Sequence, residues 1–136
     1  MNVEKKVIFH LKKALFYLPE YPEALLKLCK IYFDNNRSEE VENLLDNYNK
    51  TTQSVRYIEA LISIDKGNYD DASDKLSKII NKNSELTYLK TAKEVEEKRN
   101  NKRNLSNYLE MLVERVPENG WYYLELSKLL NPEIDY

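Results

Sequence analysis

The chain has 136 residues, of which 42% are hydrophobic and 32% are charged. This is enough apolar sequence for one domain with a core, and it excludes a chain that is disordered by composition. Lysine and arginine number 21 against 23 acidic residues, so the net charge of -2 provides no general attraction to nucleic acid or to an acidic membrane.

Two further features concern the cellular setting. Cys29 is the only cysteine, which excludes an intrachain disulfide and suits a reducing compartment. Charged pairs interrupt the apolar residues of the first 20 positions, so this stretch is too broken for a signal core or a membrane span. We therefore expect a soluble, cytoplasmic protein that does not bind membranes.

Apolar residues recur at spacings of three and four along the chain, and no stretch alternates convincingly with period two. The pattern predicts an all-α protein with helices over residues 3–18, 22–35, 38–50, 54–66, 69–82, 85–100, 103–116 and 120–131. Three of the predicted turns contain residues that tolerate the left-handed conformation ending a helix, at Asn35-Asn36, Lys66-Gly67 and Asn100-Asn101. Eight helices in four hairpins is the simplest arrangement.

A set of three apolar residues, spaced by four and then three positions, recurs in every second predicted helix; we call this spacing the repeat frame. Its members are Val7, Leu11 and Ala14; Val41, Leu45 and Tyr48; Ala72, Leu76 and Ile79; and Leu105, Leu109 and Leu112. The first members of successive sets are separated by 34, 31 and 33 residues, and Pro19, Gln53, Ser84 and Pro117 stand five residues beyond the last members. A fixed period of this length is typical of helical repeat proteins.

The pattern resembles the tetratricopeptide repeat (TPR), a unit of 34 residues whose first helix carries W-x-x-L-G-x-x-Y and which closes with proline. That first-helix spacing is matched by Leu25, Leu28, Cys29 and Tyr32, and Val41 follows nine residues later. The resemblance implies that Pro19 closes one repeat. Pro22 then opens the next helix at a position where a missing N–H costs nothing.

The resemblance implies a single TPR-like domain over residues 1–136, a right-handed superhelix of antiparallel helix pairs. Residues 1–21 would hold the second helix of a partial repeat, residues 22–52, 53–85 and 86–119 three repeats, and residues 120–136 a terminal helix. Two registers remain open within residues 53–66. The expected spacing falls on Arg56, Glu59, Ala60 and Ser63, whereas a turn one residue shorter would place the pattern on Tyr57, Ala60, Leu61 and Ile64. In the third repeat, Lys93 and Glu96 replace the small and aromatic residues of the family pattern.

Proteins of this family generally bind peptides or other proteins in the concave groove lined by the first helix of each pair. The resemblance therefore implies a non-catalytic protein–protein interaction module or scaffold that binds a peptide or helix of a partner protein. The groove positions carried over to this chain are Leu26, Lys30, Phe33, Asp34, Tyr57, Leu61, Ile64, Asp65, Lys90, Glu94 and Glu97, with Leu124 and Lys128 on the last helix. Aromatic rings would act as anchors, so Phe33→Ala or Tyr57→Ala is expected to abolish binding.

The last predicted helix opens with three aromatic residues, Trp121, Tyr122 and Tyr123. An apolar end of this kind indicates a surface for self-association or domain docking. The alternative is that the rings pack under the preceding helix pair, as aromatic residues at helical spacing usually do. Assembly of a homo-oligomer through the end helices is therefore the alternative to peptide binding.

The sequence contains little that could support catalysis, a metal or a cofactor, and we expect none of these. His10 has no nucleophile or carboxylate at motif spacing, and Cys29 is interpreted as a packing residue, with a reactive thiol as the lesser alternative. The acidic pairs, such as Glu39-Glu40, are adjacent in sequence and point about 100° apart on a helix, so neither member can couple to the other as a dyad.

The segment Lys90 to Asn104 has three more positive than negative charges. No aromatic residue lies between Tyr88 and Tyr108, although single-stranded nucleic acid sites combine cations with stacking rings. We interpret the segment as a solvated helix face and turn, with binding of RNA or an acidic peptide as the lesser alternative. The expected partner is a protein or peptide rather than nucleic acid.

Overall fold

A computed structural model describes residues 3–19 and 21–130. Within these ranges the protein forms eight α-helices and no strand, which confirms the predicted all-α class and the number of helices. The helices are α1 (Val3–Tyr17), α2 (Pro22–Asp34), α3 (Ser38–Leu45), α4 (Gln53–Asp65), α5 (Tyr69–Ser77), α6 (Leu86–Arg99), α7 (Lys102–Arg115) and α8 (Gly120–Leu130). The predicted end of the last helix at residue 131 lies outside the described residues.

Helices α3 and α5 are each five residues shorter at their C-terminal ends than the sequence pattern predicts. After α3, the side chain of Asn49 accepts hydrogen bonds from the Thr51 backbone N–H at 3.0 Å and from its hydroxyl at 2.8 Å. After α5, the side chain of Asn81 accepts from the Asn83 N–H at 2.8 Å. Asparagine side chains that bind nearby backbone groups compete with continuation of the helix. The helices therefore end earlier than the spacing of apolar residues predicts.

Three turns contain the predicted left-handed residues. Asn36, Gly67 and Asn100 have φ values of 58°, 75° and 56°, which confirms that these turns end helices in the left-handed conformation. The helices that follow two of them begin with asparagine caps, because Asn68 accepts from the N–H of Asp71 and Asn101 from that of Asn104. Pro22 is the first residue of α2, as predicted.

The chain divides into two compact units, Met1–Lys66 and Gly67–Tyr136. In the first unit, α2 packs against α1, α3 and α4, and α3 packs against α4. The core is formed by apolar side chains of all four helices, namely Leu15, Ala24, Leu25, Leu28, Cys29, Tyr32, Val41, Leu45, Val55, Ile58 and Ile62. Because α2 packs against all three other helices of the unit, it supplies more residues to this cluster than any one of them.

Two local registers in the first unit differ from the repeat frame. On α1, Leu11 and Ala14 pack against the core, but Val7 is exposed and Leu15 is the buried residue. On α4, Val55, Ile58 and Ile62 join this core. Of the two sets considered for residues 53–66, Tyr57 from one and Ser63 from the other are buried as well. Ala60, which is common to both sets, is also fully buried.

In the second unit, α6 packs against α5 and α7, and α7 packs against α8. One buried apolar cluster of this unit is formed by Leu89, Leu109, Leu112 and Tyr122. Beside these apolar residues the unit buries a carboxylate, Glu96, which is only 1% exposed.

Glu96 lies in a network that joins α6 to α5. It accepts hydrogen bonds from the Ser73 hydroxyl at 2.7 Å and from Nη1 of Arg99 at 2.6 Å. Arg99 also donates to Ser73 Oγ at 2.8 Å and, through Nε, to Asp70 at 2.8 Å. Because its carboxylate oxygens are paired, Glu96 can stay buried without the cost of an unpaired charge.

Lys93 joins α6 to α8 in the same unit. Its side chain is 14% exposed, and its ammonium pairs with Glu97 and lies 3.1 Å from Glu125. The ammonium also lies 5.9 Å from the centroid of the Tyr122 ring. The two residues that depart from the family pattern, Lys93 and Glu96, therefore both hold helices together in this unit.

Candidate functional site

Large apolar side chains that are exposed on the described residues are concentrated on the first and last helices. Seven belong to α1 and the loop after it: Val3, Val7, Phe9, Phe16, Tyr17, Leu18 and Tyr21. Three belong to α8: Trp121, Tyr123 and Leu130. Exposed apolar residues that cluster, rather than occur singly, indicate contact surfaces.

The spacing of apolar residues along α1 determines which of its side chains are exposed. Ile8, Leu11 and Leu15 occupy the side that faces the core of the first unit. Phe9 and Phe16, seven residues apart, therefore project away from that core. Lys13 lies between them in sequence, with its ammonium 5.7 Å from the centroid of the Phe9 ring. The outer side of α1 thus combines aromatic rings with positive charge.

At its C-terminal end, α1 forms one wall of a cleft of about 990 Å³ in the first unit, which we call the aromatic cleft. The other walls come from the loop before α2, the start of α2, the end of α3 with its following turn, and the start of α4. The lining residues are Lys12, Leu15, Phe16, Tyr17, Leu18, Pro19, Tyr21, Pro22, Leu25, Leu44, Asn47, Tyr48, Asn49, Thr52, Ser54 and Val55. The lining includes buried Leu15, Leu25 and Val55 and four aromatic residues.

Backbone and side-chain hydrogen bonds hold the loops of the aromatic cleft. On one wall, the N–H of Leu18 donates to Ala14 O at 2.7 Å, and that of Tyr21 donates to Leu18 O at 3.1 Å. On the other wall, the Thr52 hydroxyl accepts from the Val55 N–H at 3.4 Å and caps α4. A binding site whose walls are already ordered loses less conformational entropy when a ligand enters.

The aromatic cleft is nearly free of charge, since Lys12 is the only charged residue among those that line it. Burial raises the pKa of Tyr48. The pKa of Tyr21 is raised because its hydroxyl donates to Glu23 at 3.1 Å. Both phenols are therefore neutral at physiological pH. The cleft can accept aromatic or aliphatic side chains and can offer hydroxyl and amide groups to a peptide backbone.

The groove residues carried over from the family lie in different environments. Leu26 and Phe33 on α2 are half-buried against the core of the first unit, and α2 packs against α4 in the same unit. On α4, Leu61 and Ile64 are half-buried, whereas Tyr57 is buried, so its ring is not on the surface. The charged members on these two helices, Lys30, Asp34 and Asp65, are exposed.

In the second unit, Lys90, Glu94 and Glu97 are exposed on α6. On α8, Leu124 is half-buried and Lys128 is exposed. The three aromatic residues at the start of α8 divide between the two predicted environments. Tyr122 packs into the core of the unit, whereas Trp121 is largely exposed and Tyr123 is about half exposed.

The residues considered for catalysis or metal binding occupy unreactive or isolated positions. Cys29 is fully buried, and burial raises the pKa of its thiol to about 12. His10 is exposed and packs edge-on against Phe9, with ring centroids 5.4 Å apart. Within residues 3–19 and 21–130, no group of three or more His, Cys, Asp or Glu side chains could hold a metal ion. In the same ranges, no helix has both the length and the apolarity needed to cross a membrane.

Sequence reasoning missed the aromatic cleft. A signal for it was present in the sequence, because Phe16 lies off the core side of α1, and Tyr17 and Tyr21 flank the break between two helices. No protein-family model, curated protein or solved structure matches this chain.

Proposed function

We propose that this protein is a non-catalytic protein-interaction module, built from TPR-like helix hairpins, which binds a segment of a partner protein in the aromatic cleft. The observation that carries the proposal is the cleft of about 990 Å³, with Phe16, Tyr17 and Tyr21 exposed at its edge. Binding pockets are typically concave and mostly apolar, and each has a few polar groups that orient the ligand. Aromatic side chains are the commonest anchors at protein interfaces.

The TPR-like architecture is part of the proposal, and two features support it. The left-handed turns fall after the first helix of each predicted pair, at Asn36, Gly67 and Asn100. In the inner helices, most residues of the repeat pattern are buried, including Leu28, Val41, Ala72, Leu89 and Leu109. The stacking of the pairs into a right-handed superhelix, and the concave groove that would follow from it, are proposed on the same basis.

The charges on α1 favour a partner segment that carries acidic residues. This helix has four lysines and one glutamate, a net charge of +3, and one of those lysines lines the aromatic cleft. Acidic residues beside an aromatic or aliphatic anchor would be attracted to this region and oriented within it. We therefore expect an amphipathic helix or an extended segment with one or two large apolar side chains.

The proposal can be tested with peptides selected on the protein from a random peptide library and measured by fluorescence anisotropy. Phe16→Ala removes a ring that is 75% exposed and lines the cleft, so it should leave the fold intact and weaken binding at least tenfold. Phe9→Ala is the matched control, because Phe9 is exposed on the same helix but does not line the cleft. It should change affinity less than twofold.

Phe33→Ala distinguishes the aromatic cleft from the groove that the resemblance implies. If the selected peptides lose affinity with Phe33→Ala and keep it with Phe16→Ala, the binding site is the groove and the proposal for the cleft is wrong. Equal losses with Phe9→Ala and Phe16→Ala would indicate nonspecific attraction to the apolar side of α1. Tyr57→Ala is not a suitable probe, because removing a buried ring creates a cavity and lowers stability.

A further inference from the structure

We propose that the Asn119-Gly120 dipeptide, at the start of α8, is a modification site at which the folded chain deamidates spontaneously to aspartate and isoaspartate. The reaction needs no enzyme, because both reacting groups belong to the chain and the co-reactant is water. Both residues lie in the second unit, whereas the aromatic cleft belongs to the first. The proposal therefore adds to the proposed function and does not depend on it.

The reaction is a ring closure followed by hydrolysis. The backbone nitrogen of Gly120 loses its proton and attacks the side-chain amide carbon, Cγ, of Asn119. The bond from Cγ to Nδ2 breaks, the leaving nitrogen takes up a proton and departs as ammonia, and a cyclic imide remains. Water then opens the ring at either carbonyl carbon. Opening at Cγ gives aspartate, and opening at the backbone carbonyl gives isoaspartate, whose main chain runs through the former side-chain carbons.

The residue that follows Asn119 distinguishes it from the other asparagines. The chain has fifteen asparagines, and only Asn119 precedes a glycine. A side chain on the following residue would crowd the attacking nitrogen, and glycine has none. Asn119 therefore has the least hindered neighbouring nitrogen of any asparagine in the chain.

The fold does not require glycine at position 120. Gly67 has a φ of 75°, which favours glycine, but the φ of Gly120 is not in the left-handed region. A Cβ added at Gly120 would meet no heavy atom within 4 Å. Alanine would fit there and would favour the helix. Neither backbone conformation nor packing accounts for this glycine, which leaves the backbone nitrogen accessible.

The hydrogen bond at the start of α8 keeps the reacting atoms together. Oδ1 of Asn119 accepts from the backbone N–H of Trp121 at 3.0 Å. This bond closes a ring of atoms that contains both Cγ of Asn119 and the nitrogen of Gly120, so it limits their separation.

The same hydrogen bond also favours the attack electrostatically. Negative charge develops on Oδ1 as the nitrogen adds to Cγ, and the Trp121 N–H already donates to that oxygen. Gly120 is exposed and Asn119 is half-buried, so water and hydroxide can reach the site. The local structure thus leaves the dipeptide reactive in the folded chain.

The two products should affect α8 differently. Aspartate caps a helix as asparagine does, and its charge is favourable at a helix N-terminus. Isoaspartate lengthens the main chain by one methylene group and displaces the acceptor of the Trp121 N–H. Close to this point, Tyr122 packs into the core and Glu125 lies 3.1 Å from Lys93. We therefore expect isoaspartate, but not aspartate, to loosen the attachment of α8.

The test is mass spectrometry of the full 136-residue chain after incubation in water enriched in ¹⁸O, with digestion in ordinary water. Trypsin releases residues 116–128, which contain Asn119, and residues 83–90, which contain the exposed Asn83 before Ser84. In the folded chain, residues 116–128 should take up ¹⁸O about tenfold faster than residues 83–90. The rate should rise with pH, because the attacking nitrogen must lose its proton.

Gly120→Ala is the matched variant. It should retain the circular dichroism spectrum of the wild type, since the added methyl group has space, and it should slow the uptake about tenfold. Uptake in Gly120→Ala as fast as in the wild type would overturn the proposal. So would equal uptake in the two peptides of the wild type.

A parallel incubation in guanidinium chloride separates the folded chain from unfolded molecules. The rate at Asn119 in the folded chain should be within about tenfold of the rate in the unfolded chain. Reaction of residues 116–128 in guanidinium chloride alone would overturn the proposal, because it would show that the fold protects this site.

The effect on α8 has its own measurement. Chromatography separates the isoaspartate form, and its urea midpoint, followed by Trp121 fluorescence, should lie below that of the wild type. Asn119→Asp, which reproduces the other product, should keep the wild-type midpoint. Equal midpoints for the isoaspartate form and Asn119→Asp would overturn the proposed loosening of α8.

Discussion

Helices α2 and α6 place different residue types at matching positions of the predicted repeat. Cys29 and Tyr32 of α2 correspond to Lys93 and Glu96 of α6, each pair 64 residues apart in sequence. Cys29 and Tyr32 are buried among apolar residues of the first unit. Lys93 and Glu96 are also largely buried, but ion pairs and hydrogen bonds connect them to other helices of the second unit.

The comparison shows that these positions require a side chain with satisfied contacts rather than a particular residue type. In the first unit, the Arg37 guanidinium lies 5.0 Å from the Tyr32 ring centroid and covers the ring from the solvent side. In the second unit, the Arg99 guanidinium binds Glu96 directly. Arg37, just before α3, stacks on an aromatic ring, whereas Arg99, within α6, pairs with a carboxylate.

The largest effect is expected from Glu96→Ala. Removal of this carboxylate eliminates its hydrogen bonds with Ser73 and Arg99, while Arg99 keeps its ion pair with Asp70. Hydrogen bonds to charged groups contribute about 1.5–3 kcal/mol each, so we expect a loss of about 3–5 kcal/mol of unfolding free energy. Trp121, the only tryptophan, lies in the second unit, so its fluorescence during urea unfolding should report the loss. Glu96→Gln, which can still accept from Ser73, should lose less. An unchanged Trp121 midpoint in Glu96→Ala would show that the network does not stabilise the second unit.

Tyr32→Ala is the corresponding change in the first unit. Removal of a buried ring leaves a cavity and should cost about 3 kcal/mol. Cys29, the only cysteine, is buried in the same core and serves as the reporter, since its thiol should react with a disulfide reagent only after the first unit opens. Tyr32→Phe retains the ring under Arg37 and should change the labelling rate much less. Equal labelling rates in wild type and Tyr32→Ala would contradict the packing described for α2.

A smaller effect is expected from Lys93→Met, which keeps the apolar stem and removes the charge. We expect a loss of about 1 kcal/mol at neutral pH, because Glu97 and Glu125 are partly exposed and can be hydrated again. Burial alone would lower the pKa of Lys93, but its bonds to Glu97 and Glu125 outweigh burial and raise the pKa.

The raised pKa of Lys93 defines the pH at which its contribution disappears. Because the folded state holds this proton more tightly than the unfolded state, the stabilisation is complete below the ordinary lysine pKa of about 10.4. It is lost as pH rises through the higher folded-state value. As pH rises from about 8 to about 11, the urea midpoint of unfolding should therefore fall more for the wild type than for Lys93→Met. Lys90→Met, at an exposed position of α6, is the control and should follow the wild type.

Local features of this fold could be predicted from the sequence because local chemistry determines them. The left-handed turns at Asn36, Gly67 and Asn100 and the start of α2 at Pro22 depend on a few adjacent residues. The eight helices follow from apolar spacing over 8 to 15 residues. The early ends of α3 and α5 were missed because asparagine side chains compete with the helix there. The spacing of apolar residues, on which the prediction was based, contains no information about that competition.

The features that could not be predicted depend on contacts between distant residues. Glu96 is charged and lies within a charged run, so only its pairing with Ser73, 23 residues earlier, explains its burial. Val7 fits the repeat frame, but its exposure depends on which helices pack around α1. The aromatic cleft brings together the end of α1 and the start of α4, about 35 residues apart, and neither segment carries a motif that identifies the other.

The central claim is that partner segments bind in the aromatic cleft, and chemical-shift mapping tests it most directly. A selected peptide would be titrated into the ¹⁵N-labelled protein and followed in ¹H–¹⁵N correlation spectra. The account predicts the largest shifts at residues that line the cleft, such as Tyr17, Tyr48 and Thr52, with little change on α6. Large shifts at Phe33 and Ile64 with none at the cleft would contradict it and assign binding to the groove between α2 and α4.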